Sequence, residues 1–501
     1  MSDILLIAFN ARFFHPALNL RYLKANLGEN KDRCTIKEYN LDQKLSEVLE
    51  EIIAAQPLII GIGVYIWNRR LVLSLLKNIN ALRPEINIVL GGPEAGYEYE
   101  GTELLENCDY LIIDEGEISF SNLCSSIMAG NSPTSKIIKS QKPDLDNIEL
   151  PYYLYSEEDI EKRFIYVESS RGCPFSCEFC LSSLDKGVRQ FNRDKFIKNL
   201  GKLYDRGCRT FKFLDRDIAL AQAYEVLDFF LARDDQELFL HFELVPGIIP
   251  ARLKSVLASF KHTTIQIEAG IQSFNEKVNK RLKRYNKNDS ILEDLEFLNS
   301  LPMIHLHADL IVGLPGEDIA SFAQGFDLLY NSGVEEIQVG ILKKLRGTAI
   351  GRHDQEYTMV FNQEPPYEIL ENSDILFLEM QTLKRFARFW KIVSNSGNFK
   401  NSVKLIWENH SVFYQFYDFS NWLYQKTNAT HAFSLNRMAT FIHEYLVEIK
   451  KLDEYSVKQT IESDYKRLAR NTRPQFLSGN IHKNKTKKTN LMHRQKKHRV
   501  S

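Results

Sequence analysis

Short apolar runs alternate with amphipathic helical stretches over most of the first 350 residues, and this alternation restricts the possible folds more than any other feature. Five runs with strand character occur before residue 130, at residues 4–9, 35–39, 58–65, 86–92 and 110–114. Successive parallel strands need a crossover helix between them, and helices on both faces of the sheet favour continuously apolar strands. The sequence therefore predicts an α/β, doubly wound (flavodoxin-like) domain over residues 1–132.

A second block of the same kind follows residues 133–160, which are rich in Pro, Ser and Lys and are predicted to form a linker. Its six apolar runs span residues 164–170, 210–215, 238–244, 264–270, 304–313 and 336–342. Six consecutive strand–helix units favour a partial (β/α)6 barrel over residues 161–350, and a second doubly wound sheet is the alternative.

The last third of the chain changes to helical patterns only. Residues 351–478 are predicted to form an all-helical domain, whose dense aromatic residues have the spacing of a helical core rather than of a substrate wall. Residues 481–501 carry eight Lys or Arg and no acid, so the formal net charge of -1 conceals a net charge of -9 over residues 1–480. We expect residues 479–501 to be a disordered, solvated tail, with binding to nucleic acid or another polyanion as the alternative.

Composition favours a globular protein that does not enter membranes. Hydrophobic residues make up 44% of the chain and charged residues 26%, which is the balance of ordinary soluble domains. The longest apolar run, residues 58–67, is about half the length that a bilayer span requires. The N-terminal residues lack the basic region and cleavage site of a secretory signal. A cytoplasmic location without membrane partners is therefore expected.

Three of the seven cysteines lie together, and their spacing predicts a metal cluster. Cys173, Cys177 and Cys180 form a CxxxCxxC motif, whereas Cys34, Cys108, Cys124 and Cys208 are scattered. An odd number of cysteines in a cytosolic chain argues against a disulfide framework. Structural zinc takes four protein ligands, and no fourth ligand lies near the motif. Three thiolates suit a 4Fe-4S cluster that keeps one iron open for another ligand.

The motif, with the aromatic Phe179 directly before its third cysteine, resembles the signature of the radical S-adenosylmethionine (SAM) enzymes. The resemblance implies that the amino and carboxyl groups of SAM chelate the open iron. It also implies that one electron, from a reducing partner such as flavodoxin or ferredoxin, cleaves SAM to a 5'-deoxyadenosyl radical.

The same resemblance assigns SAM contacts to residues at the ends of the barrel strands. Asp215 and Asp217 form an acidic turn where relatives hold the SAM amine, and a carboxylate there would face an ammonium group. The segment HADLIVGLPGE resembles the adenine motif GxIxGxxE of the family, with Asp309 in place of its first Gly. The complete predicted set is Phe179, Asp215, Asp217, Glu268, Gln272, Ser273, Asp309 and Ile311.

The first domain resembles the cobalamin-binding domain that precedes the barrel in one branch of this family. Ligands of doubly wound sheets bind beyond the carboxyl ends of the strands, and no GxGxxG follows the first strand, so a dinucleotide is not favoured. The segments VLGGPEA and DEGEISF stand in the places where relatives show Gly-Gly-Pro and Gly-Glu-Gly-Glu. The chain lacks the DxHxxG motif of cobalamin mutases, so Tyr65, Ile66 or Trp67 is expected to cap the lower face of cobalt. The predicted contacts are Asn10, Tyr65, Ile66, Trp67, Gly91, Gly92, Glu115, Gly116 and Glu117.

The chain therefore resembles a cobalamin-binding-domain-containing radical SAM protein of a subgroup with undefined substrate and a helical C-terminal domain. This resemblance implies an enzyme that methylates an unactivated carbon of a small molecule or peptide. The alternatives are a cobalamin-dependent cyclase or rearrangement enzyme similar to the cyclase of tetrapyrrole biosynthesis, a nucleic-acid modifier that uses the basic tail, and a scaffold without catalysis. Relatives that transfer methylthio groups hold a second cluster in the first domain, and Cys34, Cys108 and Cys124 are too scattered for one. The resemblance assigns no catalytic residue.

Overall fold

The N-terminal region forms a parallel six-stranded sheet with apolar cores on both faces. The computed structural model describes residues 3–219, 223–285, 287–468 and 473–477. The strands, in the order β2-β1-β3-β4-β5-β6, are β1 (Ile4–Asn10), β2 (Cys34–Asn40), β3 (Ile59–Gly63), β4 (Asn87–Gly91), β5 (Tyr110–Ile113) and β6 (Ile137–Lys139). The helices are α1 (Leu18–Ala25), α2 (Leu45–Ala55), α3 (Arg69–Leu82), α4 (Pro93–Gly96), α5 (Glu103–Glu106) and α6 (Glu117–Met128). Two separate buried clusters cover the two faces, which confirms the doubly wound fold.

One strand of this sheet lies in the segment that the sequence predicted as a linker. The three residues of β6 pair in parallel with β5, Leu111 opposite Ile137. The run is too short, and too close to Pro and Ser residues, to show strand periodicity. The sheet therefore has six strands where the apolar runs indicated five.

The central region winds in one direction, as a partial barrel does. Its elements are α7 (Glu157–Lys162), β7 (Ile165–Val167), β8 (Ser170–Arg171), β9 (Arg189–Gln190), α8 (Arg193–Asp205), β10 (Thr210–Phe213), α9 (Ala223–Leu231), β11 (Phe239–Leu244), α10 (Ala251–Leu257), β12 (Thr264–Gln272), α11 (Glu276–Arg281), α12 (Asn288–Asn299), β13 (Ile304–Val312), α13 (Ile319–Asn331) and β14 (Glu336–Ile341). Six parallel strands follow the sequential order β7-β10-β11-β12-β13-β14. A doubly wound sheet would reverse this order, so the (β/α)6 prediction is confirmed.

The C-terminal region is mainly helical and shares its core with the barrel. A short antiparallel pair, β15 (Val360–Phe361) and β16 (Ile369–Glu371), precedes α14 (Phe377–Val393), α15 (Val412–Thr427), α16 (Leu435–Glu444) and α17 (Glu454–Arg467). The ring of Trp390 packs edge-on against Phe326 of α13 at 4.8 Å and against Phe416 at 4.9 Å. Most of the aromatic side chains thus form core, as predicted, whereas Phe377 and Tyr414 are exposed. The basic tail predicted at residues 479–501 lies outside the described residues.

None of the helices among the described residues combines the length and the apolar character that crossing a lipid bilayer requires.

Candidate functional site

The larger of two adjoining cavities, of about 580 Å³, lies beyond the carboxyl ends of β3, β4 and β5 and extends to the cysteine loop. A doubly wound sheet places its ligand at this edge. Six of the nine predicted cobalamin residues line the cavity: Tyr65, Gly91, Gly92, Glu115, Gly116 and Glu117. Asn10, Ile66 and Trp67 do not line it.

Two of these three side chains have other partners. The Asn10 amide donates to a carboxylate oxygen of Glu38 at 2.6 Å. The Trp67 indole donates to the Phe9 carbonyl at 3.0 Å and stacks on Tyr65 with the ring centroids 4.5 Å apart. Burial raises the pKa of Tyr65 to about 12, so its hydroxyl is neutral. Of the residues predicted to face cobalt, only Tyr65 reaches the cavity, and Trp67 supports its ring.

Glycines let backbone form the floor of this cavity. Gly92 has φ +90°, and a Cβ there would lie 2.6 Å from the Val64 carbonyl oxygen. A Cβ on Gly61, which the sequence analysis did not single out, would lie 2.6 Å from a methyl carbon of Leu6. Gly63 also lines the cavity, and the GIG sequence that ends β3 could have indicated both glycines. At these glycines a large cofactor such as cobalamin can approach the backbone closely.

The opposite wall of the larger cavity comes from the barrel. Arg171 of β8 binds three carboxylates, those of Glu115 at 2.6 Å, Glu117 at 2.7 Å and Glu168 at 2.9 Å. The Glu115 carboxylate also pairs with Arg189 of β9. Glu115 and Glu117 thus line the cavity and at the same time attach the first domain to the cysteine loop.

The smaller cavity, of about 220 Å³, is lined by all three cysteines of the motif and by Phe179. Gly172, with φ +90°, leads into the loop, and a Cβ there would clash with the Gly187 carbonyl oxygen. The Cys173 amide donates to the Asp185 carbonyl at 2.9 Å, and the Arg284 guanidinium donates to the Cys177 sulfur at 3.4 Å. Burial raises the pKa of the Cys173 thiol.

These thiols fit a cluster better than a single ion. Among the described residues no three His, Cys, Asp or Glu side chains converge on one ion. Each cysteine of a cubane binds a different iron, so its three sulfur ligands surround the cluster and do not meet at one point. Three cysteines on the wall of one cavity satisfy that arrangement.

The predicted SAM residues divide into two groups. Phe179, Glu268, Gln272 and Asp309 line the smaller cavity together with the cysteines, whereas Asp215, Asp217, Ser273 and Ile311 do not.

The three polar residues away from the wall hold the surrounding loops. Asp215 is buried and accepts hydrogen bonds from the hydroxyls of Ser169, at 2.7 Å, and Ser170, at 2.5 Å. It therefore fixes the chain that leads into the cysteine loop. Asp217 accepts from the Ala219 amide at 2.9 Å, and the Ser273 hydroxyl donates to Glu317.

Two acidic residues on the wall differ in charge. Burial alone would raise the pKa of Glu268, but a hydrogen bond from His241, at 3.3 Å, and the charge of Lys212, at 3.5 Å, outweigh it and hold that pKa well below its usual range. For Asp309, burial and the nearby charges of Glu268 and Glu243 raise the pKa to about 8. At neutral pH the Glu268 carboxyl is therefore ionised, whereas the Asp309 carboxyl is mostly protonated.

The two cavities share part of their walls. Arg216, in the loop after β10, and Ser182, in the loop after the third cysteine, line both. The Arg216 side chain is 48% exposed, and its guanidinium lies 3.6 Å from Glu243. A molecule that bridges the two cavities would contact Arg216 and Ser182.

A buried carboxylate inside the cysteine motif is held by distant parts of the chain. The Glu178 side chain, 1% exposed, lies 2.7 Å from Arg352, 2.8 Å from His353 and 3.1 Å from Lys283. Sequence reasoning missed this contact. The motif consensus leaves the Glu178 position open, and its partners lie about 100 and 175 residues further along the chain.

Comparisons with protein families agree with this arrangement. The model described as B12 binding domain matches residues 4–124, and the model described as Radical SAM superfamily matches residues 167–329. A third model, described as Protein of unknown function (DUF4080), matches residues 355–500.

Individual relatives are distant. The "Uncharacterized methyltransferase PH0819" of Pyrococcus horikoshii is 26% identical over 333 residues, which cover 60% of this chain and 70% of that protein. The "Uncharacterized methyltransferase sll1242" of Synechocystis is 31% identical over 148 residues, 29% of this chain and 27% of that protein. The ribosomal protein uS12 methylthiotransferase RimO of Clostridium acetobutylicum is 23% identical, with 49% of this chain and 60% of that protein covered.

Two solved structures share the fold. The cobalamin-dependent S-adenosylmethionine radical enzyme OxsB, with aqua-cobalamin bound, superposes with a TM-score of 0.62 at 13% identity and covers 92% of this chain and 78% of its own. The radical S-adenosylmethionine methyltransferase TsrM of Kitasatospora setae gives a TM-score of 0.57 at 14% identity, with 76% of this chain and 80% of its own covered. Since a B12-binding domain joins a radical SAM domain and their cavities meet, the chain is a cobalamin-binding-domain-containing radical SAM protein, with a 4Fe-4S cluster, SAM and cobalamin as its cofactors.

Proposed function

We propose that the protein methylates an unactivated carbon of a small molecule or peptide that binds between the two cavities. The observation that carries this proposal is the common wall formed by Arg216 and Ser182. A radical source and a methyl donor must both reach the same carbon, and two cavities that share a wall allow this without release of the substrate.

The bound cluster and SAM supply a 5'-deoxyadenosyl radical, and cobalamin supplies the methyl group. Cys173, Cys177 and Cys180 hold the cluster. Glu268, ionised beside His241 and Lys212, orients a cationic or hydroxyl group of SAM, and the protonated Asp309 donates a hydrogen bond from β13. Tyr65 and the glycine floor would hold cobalamin in the larger cavity, whose wall includes Arg216.

The relatives support methyl transfer as the reaction class. PH0819 and sll1242 are both described as methyltransferases, although neither substrate is specified. An external protein is proposed as the source of the electron that cleaves SAM.

Anaerobic incubation of the reconstituted protein with a reductant and methyl-labelled SAM tests the proposal. Methyl transfer predicts both 5'-deoxyadenosine and S-adenosylhomocysteine, because one SAM serves as the radical source and a second restores the methyl donor. Label should appear in the product. Stoichiometric 5'-deoxyadenosine without S-adenosylhomocysteine would contradict methylation and favour cyclisation or rearrangement.

A further inference from the structure

A strongly basic segment lies next to the cysteine loop. Residues 276–287 contain six basic residues and a single acid, Glu276, in a body whose net charge is negative. The basic residues are Lys277, Lys280, Arg281, Lys283, Arg284 and Lys287. Lys277, Lys280 and Lys287 are exposed, and no ion pair joins them to an acidic side chain within the described part of the chain. We call this segment, together with the half-exposed Arg352, the cationic face.

The cationic face reaches directly to the cluster ligands. Arg284 donates to the Cys177 sulfur at 3.4 Å, and the same guanidinium donates to the Gly270 carbonyl at 2.6 Å. Lys283 and Arg352 pair with Glu178, which lies between Cys177 and Cys180 in the motif. The Arg284 side chain therefore links the cationic face directly to a sulfur ligand of the cluster.

An aromatic ring stands beside this route. Tyr285 follows Arg284 in the chain, and its side chain is 72% exposed. Leaving an aromatic ring exposed to water costs free energy. Among basic residues, such a ring can stack on a planar group of a negatively charged partner in a weak, transient complex. A flavin ring whose edge is exposed offers such a group, whereas a ferredoxin encloses its cluster in a cysteine loop.

We propose that the cationic face docks the one-electron donor that reduces the cluster, and that this donor is an acidic flavodoxin. One electron passes from the donor to the cluster, with no bond formed or broken. The inference rests on the reductive step of the proposed function and is independent of the fate of the methyl group.

The rate of cluster reduction tests the inference without any substrate. Reduced flavodoxin is mixed anaerobically with reconstituted protein, and loss of the visible absorbance of the cluster is followed at several salt concentrations. The variant combines Lys277→Glu, Lys280→Glu and Lys287→Glu. Its second-order rate constant at low salt should fall by about tenfold or more, and its salt dependence should weaken or reverse. Reduction by titanium(III) citrate should keep the wild-type rate.

A second triple variant, Lys202→Glu, Lys261→Glu and Lys404→Glu, makes the same change in net charge at exposed positions elsewhere. Lys202 and Lys261 lie in the segments that precede β10 and β12, at the end of the barrel opposite the cysteine loop. This control should react with flavodoxin nearly as the wild type does. The inference is overturned by equal slowing of both variants, by slowing with titanium(III) citrate, or by an unchanged flavodoxin rate. Faster reduction by ferredoxin than by flavodoxin overturns it as well.

Discussion

The guanidinium of Arg171 lies 2.6 Å from the carboxylate of Glu115, and this contact joins the cysteine loop to the cobalamin-binding domain. The Arg171 side chain is 13% exposed, and it also binds Glu117 and Glu168. Arg171→Met leaves three neighbouring carboxylates without their common partner. We expect a loss of about 3–5 kcal/mol in the free energy of unfolding. Chemical denaturation followed by fluorescence measures it.

The matched control for Arg171 is Arg33→Met. Arg33 pairs with Asp3 at 2.7 Å, but both side chains are well exposed, so the expected loss is only about 0–1 kcal/mol. Equal losses in the two variants would show that the Arg171 contacts are no more important than a surface pair.

Replacing Cys173, Cys177 and Cys180 together by Ala should abolish the bound iron and the visible absorbance of the cluster, because each cysteine holds one iron. Cobalamin binding should persist, since none of the three lines the larger cavity. Iron analysis and absorbance spectra after anaerobic reconstitution measure both effects. Cys208→Ser is the control. Cys208 is fully buried in the core away from the motif, so this variant should keep the iron content of the wild type. Iron retained in the triple variant would falsify the cluster assignment.

Gly92→Ala should weaken cobalamin binding by about tenfold or more. The new Cβ would meet the Val64 carbonyl oxygen at 2.6 Å, in addition to the cost of φ +90°. Strain of this kind is typically about 1–3 kcal/mol, and it can be relieved only by moving the floor of the cavity. Absorbance of the cobalamin retained after gel filtration measures the effect.

Gly130→Ala separates these two contributions. Gly130 has φ +76°, but a Cβ added there would have no atom within 4 Å, so this variant has the backbone cost without the clash. It should bind cobalamin normally. Weakened binding in this variant too would show that a general loss of stability, and not the clash at the cavity floor, explains the effect at Gly92.

Glu317 should make stability depend on pH. Burial raises the pKa of Glu317 to about 7, although the hydrogen bond from Ser273 opposes this. The folded state therefore holds a proton that the unfolded state releases near pH 4.5, so stability falls as pH rises from about 4.5 to about 7 and then levels off. Glu317→Gln does not titrate. The stability of wild type relative to this variant should fall by roughly 3 kcal/mol over that range.

Urea unfolding curves of both proteins at successive pH values measure this difference. Ser273→Ala removes the hydrogen bond that favours the charged form, so the fall should continue to higher pH and become larger in total. Parallel curves for wild type and Glu317→Gln would contradict the shifted pKa.

Sequence reasoning succeeded where the signal is local. The apolar runs located the sheets, and the spacing of Cys173, Cys177 and Cys180 located one wall of a cavity, because a loop of eight residues keeps its own members together. It also placed Gly91 and Gly92 at a strand end, where the ligand edge of a doubly wound sheet must lie.

Sequence reasoning was less informative about which partners a polar or aromatic side chain contacts. Asp215 lies at the predicted strand end, yet it accepts hydrogen bonds from Ser169 and Ser170, and the Trp67 indole donates to the Phe9 carbonyl of β1 and does not line the cavity. Both outcomes depend on contacts between separate elements, which order along the chain does not encode. Arg216, which lines both cavities, was missed for the same reason.

The contact of Glu178 with Arg352 and His353 has a consequence for biosynthesis. A ribosome completes the cysteine motif long before it adds residues 352 and 353, and until then the carboxylate between two cluster ligands lacks those two partners. Nascent chains can therefore fold the first domain early, but the iron-binding loop reaches its final form only after most of the polypeptide has been translated. A chain that ends before Arg352 lacks two of the three partners of this buried carboxylate.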